Sequence, residues 1–243
     1  MLFISSLLAA TLIGIAQAQT PSGFTPNVNA KLDVVFNSTS VSTPGQLLTK
    51  GATATQPQIA ISSSAIKTSN TYMFVMLDLD VPPAGGNSSR RVLLHAMNTG
   101  FKATSQSVRG INGSVLLAST DSGPAAYISP SPPASDTIAH RYVELLFQQP
   151  ASLSVKASQF ADTSARIGFD INSFMSQNGL SQPLAGNFFT VDGRASGAAS
   201  GTATSSGGIS RNTLQPFEGA APKAGMDLSL GIVGMLAAMM VAA

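Results

Sequence analysis

One stretch of the sequence, residues 72–83, restricts the fold more than any other. It reads Tyr-Met-Phe-Val-Met-Leu-Asp-Leu-Asp-Val-Pro-Pro. Its six opening apolar residues are too few for a helix of ordinary length and too continuous for a half-exposed strand, so they predict a strand buried on both faces. Asp78 and Asp80 follow two residues apart, a spacing that places both carboxylates on one face of a strand. Pro82 and Pro83 then end the strand, because proline cannot donate a ladder hydrogen bond.

A buried strand that ends in two acids and a rigid proline turn forms either a capped turn or the wall of a polar pocket. Taken alone, the segment favours the turn, since Asp is a common turn residue. A polar pocket requires further residues from elsewhere in the chain.

The first eighteen residues predict a secretory signal peptide. They are apolar and small, and they end in Ala16-Gln17-Ala18, the small-x-small pattern of a signal peptidase site. The apolar stretch is short for a membrane span, so the mature chain is expected to begin near Gln19.

The other end of the sequence predicts a glycolipid (GPI) anchor. Residues 228–243 carry no charge, a polar spacer precedes them, and small residues beginning at Gly219 precede the spacer. This order is the GPI signal, whose tail is removed, so we expect residues 219–243 to be the signal and Gly219 the attachment site. Residues 192–218, rich in Gly, Ala, Ser and Thr, predict a flexible stalk.

Composition excludes several classes of protein. Charged residues make up only 10% of the 243 residues and the net charge is +2, which excludes a nucleic-acid binder with a dense basic face. Cysteine is absent, so disulfides, thiolate catalysis and Cys-ligated metals are excluded. Three Asn-x-Ser/Thr sequons, at Asn37, Asn87 and Asn112, predict N-glycosylation in surface loops.

The remaining sequence is rich in strand signals. Residues 24–60 alternate short apolar groups with Ser, Thr, Pro and Gly, as short strands joined by turns do. Residues 90–98 and 140–148 are mostly apolar and predict two more strands, and the proline-rich segment 127–139 predicts an irregular loop. Residues 101–122 show no clear periodicity.

One helix is predicted, over residues 171–178. Apolar residues recur there at helical spacing, Asp170 is suited to the N-cap, and Gly179 stands where a C-cap belongs.

The only two histidines, His95 and His140, each lie in an apolar strand beside a proline-rich loop. A lone strand histidine is usually a core residue, but two in this arrangement suggest a site. Three ordered segments stand out: Asp78-Leu-Asp80-Val-Pro82 with Leu94-His95; Pro132-Pro133 with His140-Arg141-Tyr142-Val143 and Leu145-Leu146-Phe147-Gln148; and Phe169 to Phe174 with Gly179-Leu180, Pro183 and Ala185-Gly186-Asn187-Phe188-Phe189. Over residues 30–191 these segments resemble the phosphatidylethanolamine-binding protein (PEBP) family.

The resemblance implies a mainly β fold, an antiparallel sandwich of two sheets with short peripheral helices, here spanning residues 24–191. It also implies a small cavity for phosphate-like or acetate-like anions and phospholipid headgroups. Eight residues would line it: Asp78, Asp80, Pro82, His95, Pro132, Pro133, His140 and Tyr142. Both histidines and the Tyr hydroxyl would donate to the anion, and Asp78 would orient a histidine. Leu79, Leu93 and Ser131 depart from the family pattern.

Three functions are compatible with these residues. The preferred one is a non-catalytic cell-surface or cell-wall protein, without cofactor, that binds an anionic or phospholipid headgroup. The alternative is an inhibitor of a serine carboxypeptidase or another protease. The resemblance implies this alternative, because the family includes such inhibitors. A metal-dependent hydrolase is third: two histidines and two carboxylates could hold zinc or iron, but no His-Glu-x-x-His motif is present.

Overall fold

The computed structural model describes residues 17–86, 88–108, 111 and 113–195. Most of the expected signal peptide, two of the three sequons (Asn87 and Asn112), most of the expected stalk and the expected GPI signal with Gly219 lie outside these residues. No helix within the described part of the chain is long and apolar enough to cross a membrane.

The described residues form nine strands and one α-helix. The strands are β1 (Asp33–Phe36), β2 (Thr39–Ser40), β3 (Gln46–Leu48), β4 (Gln58–Ser62), β5 (Tyr72–Val81), β6 (Arg91–Ala103), β7 (Ser114–Ala118), β8 (His140–Gln148) and β9 (Ala185–Val191). The helix is α1 (Ile171–Asn178), and three short 3-10 turns cover Ser63–Ala65, Ala157–Phe160 and Thr163–Arg166. The mainly β fold expected from the sequence is therefore confirmed.

The strands pair in one continuous order, β2-β1-β4-β7-β6-β5-β8-β9-β3. The long strand β6 joins the two halves, because most of it pairs with β5 while Lys102 and Ala103 pair with β7. The pairs are antiparallel except β3 with β9, which is parallel. The strands are thus connected through β6 instead of forming two separate, wholly antiparallel sheets.

Strand β5 is buried on both faces, as its sequence predicts. Alternate side chains enter two core clusters: Tyr72, Phe74 and Met76 face the first, and Met73, Val75 and Leu77 face the second. Side chains of β1, β4 and β7 cover the first cluster, and α1 covers the second. Both faces of β5 therefore exclude water, which explains the continuous apolar run.

Helix α1 begins and ends where the sequence predicts. The Asp170 carboxylate accepts hydrogen bonds from the backbone N–H groups of Asn172 and Ser173 at 2.9 and 3.1 Å. Gly179 ends the helix with a φ of 63°, in the left-handed region that favours glycine. These two caps satisfy backbone groups that a short helix leaves unpaired.

Two features were not predicted. Strand β7 lies within the segment that shows no periodicity, and it is held by pairing with β4 and β6. Packing also begins before residue 24: Thr20 is buried, and its hydroxyl accepts a hydrogen bond from the Val28 backbone at 3.2 Å. Short strands of this kind depend on partners distant in sequence, so local patterns indicate them poorly.

An unpaired acid lies in the core. Glu144 stands between Tyr142 and Leu146 on the face of β8 that enters the first cluster, and its exposure is 0%. Neither carboxyl oxygen has a hydrogen-bond partner among the described residues. Burial raises the pKa of Glu144 well above its usual range, so the folded protein holds this side chain as the neutral acid.

We expect Glu144→Leu to stabilise the protein, and to do so more at pH 8 than at pH 5. The unfolded chain releases the Glu144 proton near pH 4.3, whereas the folded protein retains it, so wild-type stability is lost as pH rises between the two pKa values. The difference in unfolding free energy should widen by about 1.4 kcal/mol per pH unit in that window. Urea denaturation at several pH values measures it.

Glu144→Gln is the control, because it removes the ionisation but keeps a buried polar group. It should also remove this pH dependence, with less gain in stability than Leu. A difference between wild type and Glu144→Leu that does not vary with pH would show that Glu144 ionises normally.

Candidate functional site

A cavity of about 190 Å³ lies at one end of the three neighbouring strands β6, β5 and β8. The register places Asp78 of β5 directly opposite Leu93 of β6 and Tyr142 of β8. The cavity is lined by Asp78, Val81, Pro82, Leu93, His95, Ile128, Ser129, Ser131, Pro132, Pro133, His140 and Tyr142. The structure therefore brings seven of the eight predicted residues together, all except Asp80.

His95 lines this cavity and has one ring nitrogen without a hydrogen-bond partner among the described residues. The ring is only 3% exposed, and its Nδ1 lies 2.7 Å from the backbone oxygen of Ile128. A carbonyl oxygen can only accept, so Nδ1 carries the proton, and in the neutral ring Nε2 is an acceptor. Nε2 has no hydrogen-bond partner among the described residues and lies 3.9 Å from Oδ2 of Asp78. Burial lowers the pKa of His95, which favours this neutral form.

His140 is held differently, because both of its ring nitrogens contact carboxylates. Nδ1 lies 2.8 Å from Oδ2 of Asp78, and Nε2 lies 2.9 Å from Oδ2 of Asp136. Ionised carboxylates only accept hydrogen bonds, so each nitrogen donates and the ring is a cation. Burial opposes the charge, but the hydrogen bonds and charges of Asp78 and Asp136 outweigh burial and raise the pKa of His140.

This geometry corrects the role expected of His140. The side chain does line the cavity, but both of its N–H groups are already used within the protein. It is therefore not a spare donor for a bound anion.

The network continues outward to Arg90. Its guanidinium donates two hydrogen bonds to the carboxylate of Asp136, at 2.7 and 2.9 Å. These bonds, followed by the one from His140, hold the pKa of Asp136 far below its usual range. Arg90, Asp136, His140 and Asp78 thus alternate in sign, and their four charges sum to zero.

Asp136 was missed in the sequence because it lies in the irregular loop, outside any motif. Its buried carboxylate is nevertheless the second partner of His140. The sequence signal that could have indicated this pair is the position of Asp136, four residues before His140.

Asp80 has a structural role instead of lining the cavity. Its carboxylate accepts two hydrogen bonds from the Arg141 side chain and one from the Arg141 backbone, each at 2.8 Å. Burial alone would raise the pKa of Asp80, but these bonds lower it. Both carboxylates were expected on one face of the strand, but Asp78 bonds to His140 and Asp80 to Arg141, the next residue of β8, so Asp80 ties β5 to β8.

Tyr142 forms the floor of the cavity. Its ring packs edge-on against His95, with centroids 5.1 Å apart, and stacks on Phe189 at 5.2 Å. Burial, together with the negative charge of Asp78, raises the pKa of Tyr142. The hydroxyl therefore keeps its proton and can donate it to a ligand.

The chain that follows β9 packs against the prolines of the cavity wall. A Cβ atom on Gly193 would lie 2.2 Å from the backbone oxygen of Pro133, so only glycine fits there. Lys50 donates a hydrogen bond to the Gly193 oxygen at 3.0 Å. The first residues of the expected stalk thus contact the domain.

A larger, open cleft of about 510 Å³ lies around the start of α1. Its lining mixes apolar residues with Ser22, Thr25, Asp170, Asn172 and Arg141. The Arg141 guanidinium already pairs with Asp80, and Asp170 caps α1. The smaller cavity is the better candidate site, because its lining includes His95, whose buried Nε2 has no partner among the described residues.

Comparison with known proteins identifies the family. The family model described as phosphatidylethanolamine-binding protein matches residues 38–189. The chain belongs to this family. Leu93 and Ser131, two of the three positions expected to depart from the family pattern, lie on the cavity lining.

The relatives of this chain include proteins with different names. The chain is 36% identical over 199 residues to phomoidride biosynthesis cluster protein N of Talaromyces stipitatus, covering 76% of this chain and 93% of that protein. It is 31% identical over 168 residues to Protein BROTHER of FT and TFL 1 of Arabidopsis thaliana, covering 69% and 82%. A crystal structure of carboxypeptidase Y inhibitor complexed with the cognate proteinase has the same fold, with a TM-score of 0.51 and 20% identity over 68% of this chain and 84% of that one.

We expect Asp136→Asn to lower stability most between about pH 4 and pH 6.5. The depressed pKa of Asp136 contributes stability that is present above its unfolded pKa and is lost as pH falls. The raised pKa of His140 contributes stability that is present below its unfolded pKa and is lost as pH rises. Thermal denaturation from pH 3 to pH 9 measures the difference in melting temperature.

Asp121→Asn is the matched control, because Asp121 is an exposed acid outside the network. It should change the melting temperature little at any pH. Equal effects of the two substitutions across the whole range would show that Asp136 and His140 are not coupled.

Proposed function

We propose that this protein is a non-catalytic binding protein that holds a small oxyanion group in the cavity. The group is phosphate-like or carboxylate-like, and a phospholipid headgroup is one source of it. The observation that carries the proposal is the buried Nε2 of His95, which has no partner among the described residues. His95 lines the cavity together with Tyr142. Buried polar groups normally have a partner, so an unpaired one at a cavity favours a bound ligand.

The size and lining of the cavity support a headgroup rather than a whole lipid. At roughly 30 Å³ per water molecule, 190 Å³ corresponds to about six waters. Pro82, Pro132 and Pro133 give it a rigid wall, so binding costs little ordering of the protein. In this proposal His95 and Tyr142 contact the ligand, while Asp78 and His140 position them.

Protease inhibition is ranked second. The exposed large apolar side chains of the described residues are Leu47, in β3, and Ile138, in the loop before β8. They lie on separate elements, whereas a protease cleft recognises neighbouring side chains of one extended segment.

Metal-dependent hydrolysis is ranked third. A metal ligand must offer a free lone pair, and both nitrogens of His140 are hydrogen-bonded to carboxylates. The described residues contain no group of three or more side chains placed to hold a metal ion.

We propose a cell-surface or cell-wall location through a GPI anchor, after removal of residues 1–18. The apolar segments at both ends of the sequence support this, as does one relative, the 26 kDa secreted antigen of Toxocara canis, which is 28% identical over 178 residues. Asn37 is exposed in the turn between β1 and β2, a suitable position for a glycan. Asn87, Asn112 and Gly219 remain predicted modification sites.

A GPI-cleaving phospholipase should release the protein from intact cells. Substituting Gly219 and its small neighbours with bulky residues should abolish this release, because the attachment site requires small side chains. Mass spectrometry of mature protein that recovers residues 228–243 would contradict the anchor.

Tyr142→Phe tests the binding function. Loss of the hydroxyl should remove one hydrogen bond to a charged group, worth about 1.5–3 kcal/mol, and so weaken binding of inorganic phosphate by about tenfold to a hundredfold. Isothermal titration calorimetry on the purified protein measures the affinity. Tyr72→Phe is the control, because the Tyr72 hydroxyl bonds to the backbone of Lys67 and is not on the cavity lining.

Equal affinities of wild type and Tyr142→Phe would contradict the assignment of the site. Failure of both phosphate and acetate to bind wild type at millimolar concentration would contradict the oxyanion function itself.

A further inference from the structure

The ionic network that includes His140 supplies no net positive charge to an anion. Arg90, Asp136, His140 and Asp78 sum to zero, and the N–H groups of His140 point at Asp136 and Asp78. The charged group in ion-pair contact with Nε2 of His95 is the Asp78 carboxylate, whose Oδ2 lies 3.9 Å away. An unprotonated anion at this position would meet a lone pair on one side and a carboxylate on the other.

The tautomer of His95 is the reason that its Nε2 cannot donate a hydrogen bond to an anion. Because Nδ1 donates to the Ile128 oxygen, the ring cannot offer Nε2–H without becoming a cation. An oxyanion and the neutral Nε2 are both acceptors, so no hydrogen bond forms between them. One additional proton resolves this, either on the ligand or on the ring.

We propose that the cavity binds an oxyanion together with one proton, which is shared between a ligand oxygen and Nε2 of His95. This rests on the proposed oxyanion-binding function and adds the protonation state of the bound group. The proton comes from solvent: an anion and a neutral His95 take up one proton to form a hydrogen-bonded pair. The site thus binds, in net terms, the conjugate acid of its ligand.

The groups around His95 determine how favourable it is to protonate the ring. Asp78 on β5 favours it. His140 on β8 and Arg166, in the 3-10 turn Thr163–Arg166, oppose it, and burial opposes it most. The Tyr142 ring contributes its edge-on contact. A bound anion supplies a negative charge that favours protonation of His95, so protonation and binding stabilise each other.

Calorimetric titration of the purified protein with acetate tests the inference. Acetate is fully ionised at pH 7, so any proton in the complex comes from solution. Titrations at one pH in two buffers with different heats of ionisation give the number of protons taken up. We expect a number close to one, and an affinity that falls by about tenfold per pH unit above neutrality.

His95→Gln is the discriminating variant. A glutamine amide can donate directly to acetate without ionising, so this variant should bind with no proton uptake and with little dependence on pH. Asp121→Asn, at an exposed acid that does not line the cavity, should behave as wild type.

The outcomes separate the two proposals. If acetate binds with no proton uptake, the shared proton is refuted and the oxyanion function survives. If His95→Gln still takes up one proton, another group is protonated and the assignment to His95 is refuted. If acetate does not bind but ethanolamine does, the oxyanion function is refuted, because a cation can donate directly to the neutral Nε2.

Discussion

The rest of the site depends on one cation, the imidazolium of His140, held between two buried carboxylates. Asp78 belongs to β5 and Asp136 to the irregular loop before β8, so the two hydrogen bonds of His140 fix the loop to the sheet. Arg90 then binds the outer carboxylate, which completes a neutral chain of four charges. Burying such charges is costly unless every partner is present, and this requirement couples the three segments.

This arrangement leaves the two histidines with different functions. His140 is charged and used within the protein, whereas His95 is neutral and has one nitrogen without a partner among the described residues. The same kind of side chain therefore holds the network together in one place and borders the cavity in the other. The difference arises from their partners: two carboxylates for His140, one backbone carbonyl for His95.

Local sequence signals predicted the elements whose stability is mostly local or strongly patterned. The caps Asp170 and Gly179 located α1, and the continuous apolar run located β5. Most residues of the cavity lining followed from the family resemblance. The partners did not, because Asp136 with Arg90 and Asp80 with Arg141 are joined only by folding. The tautomer of His95 likewise depends on a carbonyl 33 residues away.

Nitrogen-15 NMR of the imidazole rings tests the central claim most directly, and the chain has only two histidines to assign. At pH 7.5 without ligand, we expect both nitrogens of His140 to carry protons, and His95 to be neutral with its proton on Nδ1. A neutral His140, or a His95 protonated on Nε2 in the free protein, would contradict the account of the site.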